Sequence, residues 1–351
     1  MSSPSFQTIL SGERQDVASR LLRLGLSALE PVYAGMMSLR NLGYDFSWLP
    51  THAAPMPVIS VGNITTGGTG KTPVVAWLTE ALQTRGHQPA LLSRGYKSLD
   101  ETGNDEFRVL QLLCPGVPHL QCRDRVAGVQ RLQQESAPSV VVLDDAFQHR
   151  RLKRDLDIVL IDATNPWGYG HVLPRGLLRE PLRGLKRADA VLITRCDLVT
   201  SSNIASIQAT LVRYTSSPVM RTRFLPLGLR SVDGTRRAID DVTEIQTGSP
   251  HAFCGIGNPA AFASTLRQFL GRDVDVVPFP DHYHYQPSDF DRLQQANPHT
   301  SIWLTTLKDL VKLPDQAFGE TPVLAIDIGI EFLDPPEPLL QLLPQTSCTT
   351  K

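Results

Sequence analysis

One short segment constrains the fold of this chain more than any other. An apolar run over 57–61 leads into Gly62-Asn63-Ile64-Thr65-Thr66-Gly67-Gly68-Thr69-Gly70-Lys71-Thr72-Pro73, and a helical pattern follows over 73–84. Strand, glycine-rich loop and helix in that order are the context in which such a loop cradles phosphate. Its glycines let successive N–H groups and the helix N-terminus face negative charge. Lys71 would reach the β- and γ-phosphates of a nucleotide, and the Thr72 hydroxyl would hold Mg²⁺. The usual first glycine of such a loop, six before the lysine, is Thr65 here. A dinucleotide loop fails at this place, because Pro73 stands where a small residue is needed.

The surroundings follow a β-α-β rhythm. Apolar runs at 88–92, 139–143, 157–161 and 190–193 have the composition of strands buried on both faces of a mainly parallel sheet, with a helix over 123–135. An extended stretch over 218–232 and a polar segment over 233–250 mark a boundary, and a second α/β series occupies 251–328. The expected organisation is therefore α/β throughout, with a phosphate-loop domain over 1–225 and a smaller domain over 226–351, whose tail 335–344 is free to return to the first. The 351 residues suffice for two cores. Lys and Arg total 34 against 35 Asp and Glu, which speaks against a dedicated nucleic-acid binder. The five cysteines form no Cys-x-x-Cys pair, so neither a disulfide framework nor a zinc site is indicated. No basic stretch followed by an apolar run and a cleavage site is seen at the N-terminus, so export is not expected.

The charge that matters is local. The run at 139–143 ends in Asp144-Asp145-Ala146-Phe147-Gln148-His149, and a strand end beside a phosphate loop is where a Mg²⁺-holding aspartate belongs. Adjacent side chains on a strand point opposite ways, so one of the two leads, and position favours Asp144. Residues 150–187 carry nine Lys or Arg against four acids, a basic stretch that could grip substrate phosphate or an anionic membrane, or form a solvated face. Residues 15–44 repeat apolar side chains at helical spacing, but Arg20, Arg23, Glu30 and Arg40 interrupt every run, and Pro31 is expected to kink or divide the helix. Such a helix packs into a core or lies on a membrane surface, and periodicity alone favours the core. Gly255-Ile256-Gly257-Asn258-Pro259-Ala260 has the form of a dinucleotide loop, although Asp273 and Asp275 start the next strand instead of ending it, and tight packing explains the glycines equally well.

Several motifs in order resemble one family. Thr66-Gly67-Gly68-Thr69-Gly70-Lys71-Thr72-Pro73, Leu92-Ser93-Arg94-Gly95-Tyr96, Asp144-Asp145-Ala146-Phe147-Gln148-His149-Arg150, Leu178-Arg179-Glu180-Pro181 and Phe279-Pro280-Asp281-His282-Tyr283 closely resemble the tetraacyldisaccharide 4'-kinase (lipid A 4'-kinase) family. The likeness spans residues 17 to about 330, and even Thr65 is similar to that family's pattern. It implies transfer of the ATP γ-phosphate to the 4'-hydroxyl of a tetraacyldisaccharide 1-phosphate, forming lipid IVA on the cytoplasmic face of the inner membrane. It implies two α/β/α domains joined by a β-linker and closing round ATP and Mg²⁺, with the N-terminal segment as a membrane-associating helix.

Carried over by motif, residues Thr65 to Thr72 contact the nucleotide, while Thr72, Asp144 and Glu180 lie on the metal side. Arg94, Tyr96, Gln148 and Arg179 fall at substrate-binding positions, and Asp105, His282 and Asp145 at catalytic ones. Asn104 is inserted before Asp105 and Phe107 replaces a usual proline, which leaves the register of Asp105 against Glu106 open. Thr306-Leu307-Lys308-Asp309 lacks the family's glutamate and is given no role. In the expected mechanism Asp105, oriented by His282, accepts the sugar hydroxyl proton, and domain closure brings His282 to the first domain. Two rivals remain open: a membrane-docked ATPase or regulatory switch, and a nicotinamide-dependent enzyme built on 255–260.

Overall fold

The computed structural model describes residues 4–95, 104–314 and 317–345. Helix α1 (Pro4–Ser11) precedes the long α2 (Val17–Asp45), whose first turn is capped by Asp16 accepting from the Ser19 N–H at 3.0 Å. There follow β1 (Val58–Asn63), α3 (Lys71–Thr84), β2 (Pro89–Ser93), α4 (Asp105–Leu113), β3 (His119–Gln121), α5 (Arg125–Glu135), β4 (Val140–Asp144), β5 (Leu156–Asp162), β6 (Ala190–Thr194) and α6 (Ser201–Leu211). The long β7 (Val219–Arg230) leads to β8 (Arg236–Arg237), α7 (Thr243–Gln246), β9 (Pro250–Cys254), α8 (Pro259–Leu270), β10 (Val276–Pro278), α9 (Pro287–Ala296), β11 (Ile302–Thr306), α10 (Leu307–Leu310), β12 (Val323–Phe332) and α11 (Glu337–Leu342).

The chain divides into two compact units. The first comprises Met1–Arg94, Pro118–Arg223 and Glu331–Lys351, and the second Gly95–Val117 and Phe224–Ile330. The expected boundary after residue 225 lies close to the passage at Arg223, and the C-terminal tail groups with the first unit. Nothing in the sequence pattern had suggested that Gly95–Val117 belongs to the second.

In the first unit parallel strands run in the order β7, β6, β5, β1, β4, β2, β3. Every residue of β1, β2, β4 and β6 is buried, as expected for strands covered on both faces. Alternate side chains feed two cores. Val58, Val141 and Leu143 join Leu92, Val129 and Leu132 in one, while Val159, Ile161, Val191 and Ile193 meet Ile204 and Ile207 in the other. The chain leaves β1 toward β2 on one side, and leaves β4 toward β5 on the other, so the carboxyl end of β1 is a switch point where α/β sheets bind ligands.

In the second unit β10, β9, β11 and β12 are parallel. Phe253, Trp303 and Ala325 face one core with Phe290 and Phe318, and Ala252, Cys254, Ile302 and Leu304 face another with Phe262 and Leu266.

Pro31 does not divide α2, which runs through it as one helix. A proline removes one hydrogen bond from a helix, and here the turns around it are tied to the first unit by other means. Glu30 accepts from the Val172 N–H at 2.8 Å, and the Tyr33 hydroxyl donates to the Arg179 carbonyl at 3.1 Å.

Candidate active site

The phosphate-type loop leaves β1 at the switch point and enters α3 at Lys71. Gly62 allows close approach there, since a Cβ would lie 2.7 Å from the Phe147 Cβ. Gly70 takes φ +81°, a left-handed turn that starts the helix without a side-chain penalty. The first two expected contact residues act as anchors. Thr65 pairs with Leu178 in an antiparallel bridge, and the Thr66 N–H is spent on the Leu177 carbonyl at 2.7 Å. Further along the loop, at Gly67 and Gly68, a Cβ would meet nothing within 4 Å, so the outer side of the loop is open there. From the far end of β6, the Thr194 hydroxyl donates to the Thr69 carbonyl at 3.2 Å and Arg195 to the Gly68 carbonyl at 3.0 Å. These braces had no counterpart in the sequence analysis.

Asp144 ends β4 in register with Val61, one strand from the loop, and is buried. The alternation rule stops there, because Asp145 adopts φ +55° and turns the chain. Its carboxylate lies 3.6 Å from Lys71 Nζ and accepts from Arg179 at 2.9 and 3.0 Å. Burial pushes the Asp145 carboxyl up, but Lys71 and Arg179 outweigh it and hold the group below the ordinary carboxylate value. With Lys71 also 3.5 Å from Asn63 Oδ1, the cluster is an ordered array of cations around one anion. Thr72 and Asp144 carry hard oxygen atoms of the kind that would suit Mg²⁺. Among the described residues no group of three or more His, Cys, Asp or Glu could hold a metal alone, so a cation here would draw its remaining ligands from nucleotide phosphate and water.

Glu180 does not fit the metal role that the motif suggested. Its side chain is 1% exposed, and its oxygens accept from Arg187 at 2.9 Å, Asn41 at 2.8 Å and Gln148 at 3.0 Å. A cation would have to displace this network, so Glu180 is a buried counter-charge that fixes Arg187 and Gln148. Gln148 also donates to the Asn63 carbonyl at 2.9 Å, and Arg179 is turned onto Asp145, so both brace the loop from within. Arg94 is exposed at the end of the first segment, and Tyr96 lies outside the described residues. Most of the basic stretch is likewise paired: Arg150 with Asp45, Arg154 with Asp157, and Arg187 with Glu180.

In the second unit the inserted Asn104 becomes the cap of α4, accepting from the Phe107 N–H at 3.0 Å, so Asp105 is the first helical residue. Asp105 Oδ2 lies 3.3 Å from His282 Nδ1, whereas Glu106 faces Lys308 at 3.7 Å. Of the two adjacent carboxylates, Asp105 is thus the one that faces His282. Both members of the pair belong to the second unit, so no closure is needed to bring them together.

A family model described as tetraacyldisaccharide-1-P 4'-kinase matches residues 22–346. The chain belongs to the tetraacyldisaccharide 4'-kinase family. It is 34% identical over 337 residues to a tetraacyldisaccharide 4'-kinase of Halothermothrix orenii, covering 87% of this chain and 86% of that one. One from Syntrophus aciditrophicus is 37% identical over 330 residues, with 86% and 87% covered. Among solved structures, LpxK from Aquifex aeolicus in complex with ATP matches with a TM-score of 0.76 and 31% identity over 92% of this chain and 98% of that one. Membership in the tetraacyldisaccharide 4'-kinase family makes the chain a kinase and leaves no place for a nicotinamide enzyme. The physical reason is visible at Gly255, whose N–H donates to the Asp309 carboxylate at 3.0 Å. A Cβ there would come within 3.1 Å of Asp309 and Tyr285, so this glycine serves packing, and its N–H is taken by an anion.

Proposed function

We propose that the protein transfers the γ-phosphate of ATP to the 4'-hydroxyl of a tetraacyldisaccharide 1-phosphate, giving lipid IVA, on the cytoplasmic face of the inner membrane. The observation that carries the acceptor half is the approach of His282 to Asp105 at 3.3 Å across 177 positions of sequence. An ATPase switch would account for the loop and the acids but gives this pair nothing to do. In the proposed reaction Asp105 accepts the hydroxyl proton while His282 orients its carboxylate. Lys71 and the loop N–H groups balance charge on the transferring phosphoryl group, and in a loose transition state this counts for more than the strength of the base. Thr72 and Asp144 would hold Mg²⁺, whose charge would help neutralise the nucleotide when it is bound.

The lipid surface is the proposed docking partner of α2. Its polar side meets the first unit through Glu30, Arg40 and Asn41, which contact Val172, Gln148 and Glu180. Its apolar side points outward, with Val17 73%, Leu24 69% and Leu39 65% exposed, and Trp48 just beyond its end at 70%. No helix among the described residues is long and apolar enough to cross a membrane, which suits a helix lying in the interface.

The test is transfer of ³²P from γ-labelled ATP to detergent-dispersed tetraacyldisaccharide 1-phosphate, followed by thin-layer chromatography. Labelled bisphosphate should form, vanish with Lys71→Ala, and fall by orders of magnitude with Asp105→Ala while ATP binding persists. Phosphate release with no labelled lipid would favour the ATPase.

A further inference from the structure

Lys312 had no place in the sequence analysis, yet the structure sets it beside the proposed base. Its Nζ lies 3.2 Å from Asp105 Oδ2 and 3.5 Å from Asp309 Oδ1, and its side chain is only 7% exposed. A buried ammonium persists only where anions compensate it. Here the inner anion is itself fixed: Asp309 is fully buried and accepts from the Gly255 N–H at 3.0 Å and the Thr306 hydroxyl at 2.6 Å. The Gly255 carbonyl in turn accepts from the His282 N–H at 3.1 Å. The contacts therefore close a ring running from Asp105 through Lys312, Asp309, Gly255 and His282 back to Asp105.

We propose that Lys312 is a positioning residue for the transfer reaction, its ammonium fixing the Asp105 carboxylate against the buried Asp309. This inference rests on Asp105 being the proton acceptor. His282 alone holds Asp105 poorly, since its side chain is 68% exposed and a solvated polar contact is worth little. The Lys312 side chain, by contrast, is largely covered and is paired with both carboxylates. The Arg108 guanidinium, one turn along α4, strengthens the same join by donating to the Val311 carbonyl at 3.2 Å. Among the described residues, the neighbouring Glu106 and Lys308 pair with each other at 3.7 Å. A base fixed in this way meets its acceptor in one orientation, and a misplacement of about 1 Å is enough to cost a large factor in rate.

The experiment is steady-state kinetics of labelled-lipid formation by the full chain with ATP, Mg²⁺ and the tetraacyldisaccharide 1-phosphate. Lys312→Met should lower kcat roughly 10- to 100-fold while the KM for ATP stays within about twofold. Lys312→Arg, which keeps the charge, should recover much of the loss. In an Asp105→Asn background the further change to Lys312→Met should cost almost nothing, because the lysine acts through that carboxylate. Wild-type kcat in Lys312→Met, or an undiminished loss in the Asp105→Asn background, would overturn the proposal. Should Lys312→Met fail to accumulate as folded protein, Lys312→Met combined with Asp309→Asn removes both buried charges and should show the same loss of kcat. Normal turnover by Asp105→Asn alone would instead remove the base on which the inference rests.

Discussion

Two partly buried histidines of the first unit give its stability a pH dependence separate from catalysis. Burial holds His119 at about 4, and burial with the nearby Arg125 and Arg154 holds His149 at about 4, against an ordinary value of 6.5. Over that window the unfolded chain takes up protons that the folded chain refuses. Stability is therefore complete above 6.5 and drains away as the pH falls toward 4. Melting curves between about pH 7 and pH 5 should show the His119→Gln, His149→Gln double variant losing less melting temperature than the parent chain. Equal losses would place the acid sensitivity elsewhere. The entry of the loop into a helix at Lys71 and the strand end at Asp144 were legible in the sequence, because they follow from contiguous spacing after a strand. Lys312 and Asp309 were not, because their partners come from α4 and from the start of α8's loop, and a departure from a family motif hid them. Glu180 misled for the same reason: a sequence displays a charge but not the arginine that consumes it.

The β-α-β elements were largely legible, since strands covered on both faces are continuous apolar runs whatever their neighbours. Helix α4 was missed, being a short amphipathic segment outside that rhythm, whereas at α2 periodicity alone favoured a core helix, the family resemblance implied a membrane-facing one, and Val17, Leu24 and Leu39 are exposed. Periodicity detects a stripe without saying whether packing or polar contacts hold the helix, and here Glu30, Tyr33, Arg40 and Asn41 do the holding. The outward stripe should therefore be replaceable without harm to the fold. Leu24→Glu with Leu39→Glu should abolish sedimentation with anionic phospholipid vesicles and leave the melting temperature unchanged within about 2 °C, because exposed positions contribute little to stability. Unaltered vesicle binding would count against α2 as the docking element, and a large fall in melting temperature would mean that the stripe is packed.

At the scale of the molecule, neither unit is a continuous piece of sequence. The chain passes from one to the other after Arg94, Val117, Arg223 and Ile330. Composition shifts marked the third passage, but nothing local marks the first two, because an excursion of 95–117 is decided by what its side chains meet. The final return is substantial: Leu339 and Leu343 are buried, Asp334 pairs with Arg221 at 2.6 Å, and the Pro344 carbonyl lies 2.9 Å from His87. Truncation after Ile330 should lower the stability of the first unit by about 3 kcal/mol or more, the scale of losing two buried leucines, and urea unfolding followed by far-ultraviolet circular dichroism would register it. A truncated chain unfolding at the parent's urea midpoint would show that the tail is dispensable.

The same return sets an order of events during synthesis. Residues 95–330 must all be made before the segment after Ile330 can complete the unit that Met1–Arg94 opens. The phosphate loop is thus translated early and completed late, and nascent chains arrested short of Glu331 should present an unfinished first unit to chaperones and proteases.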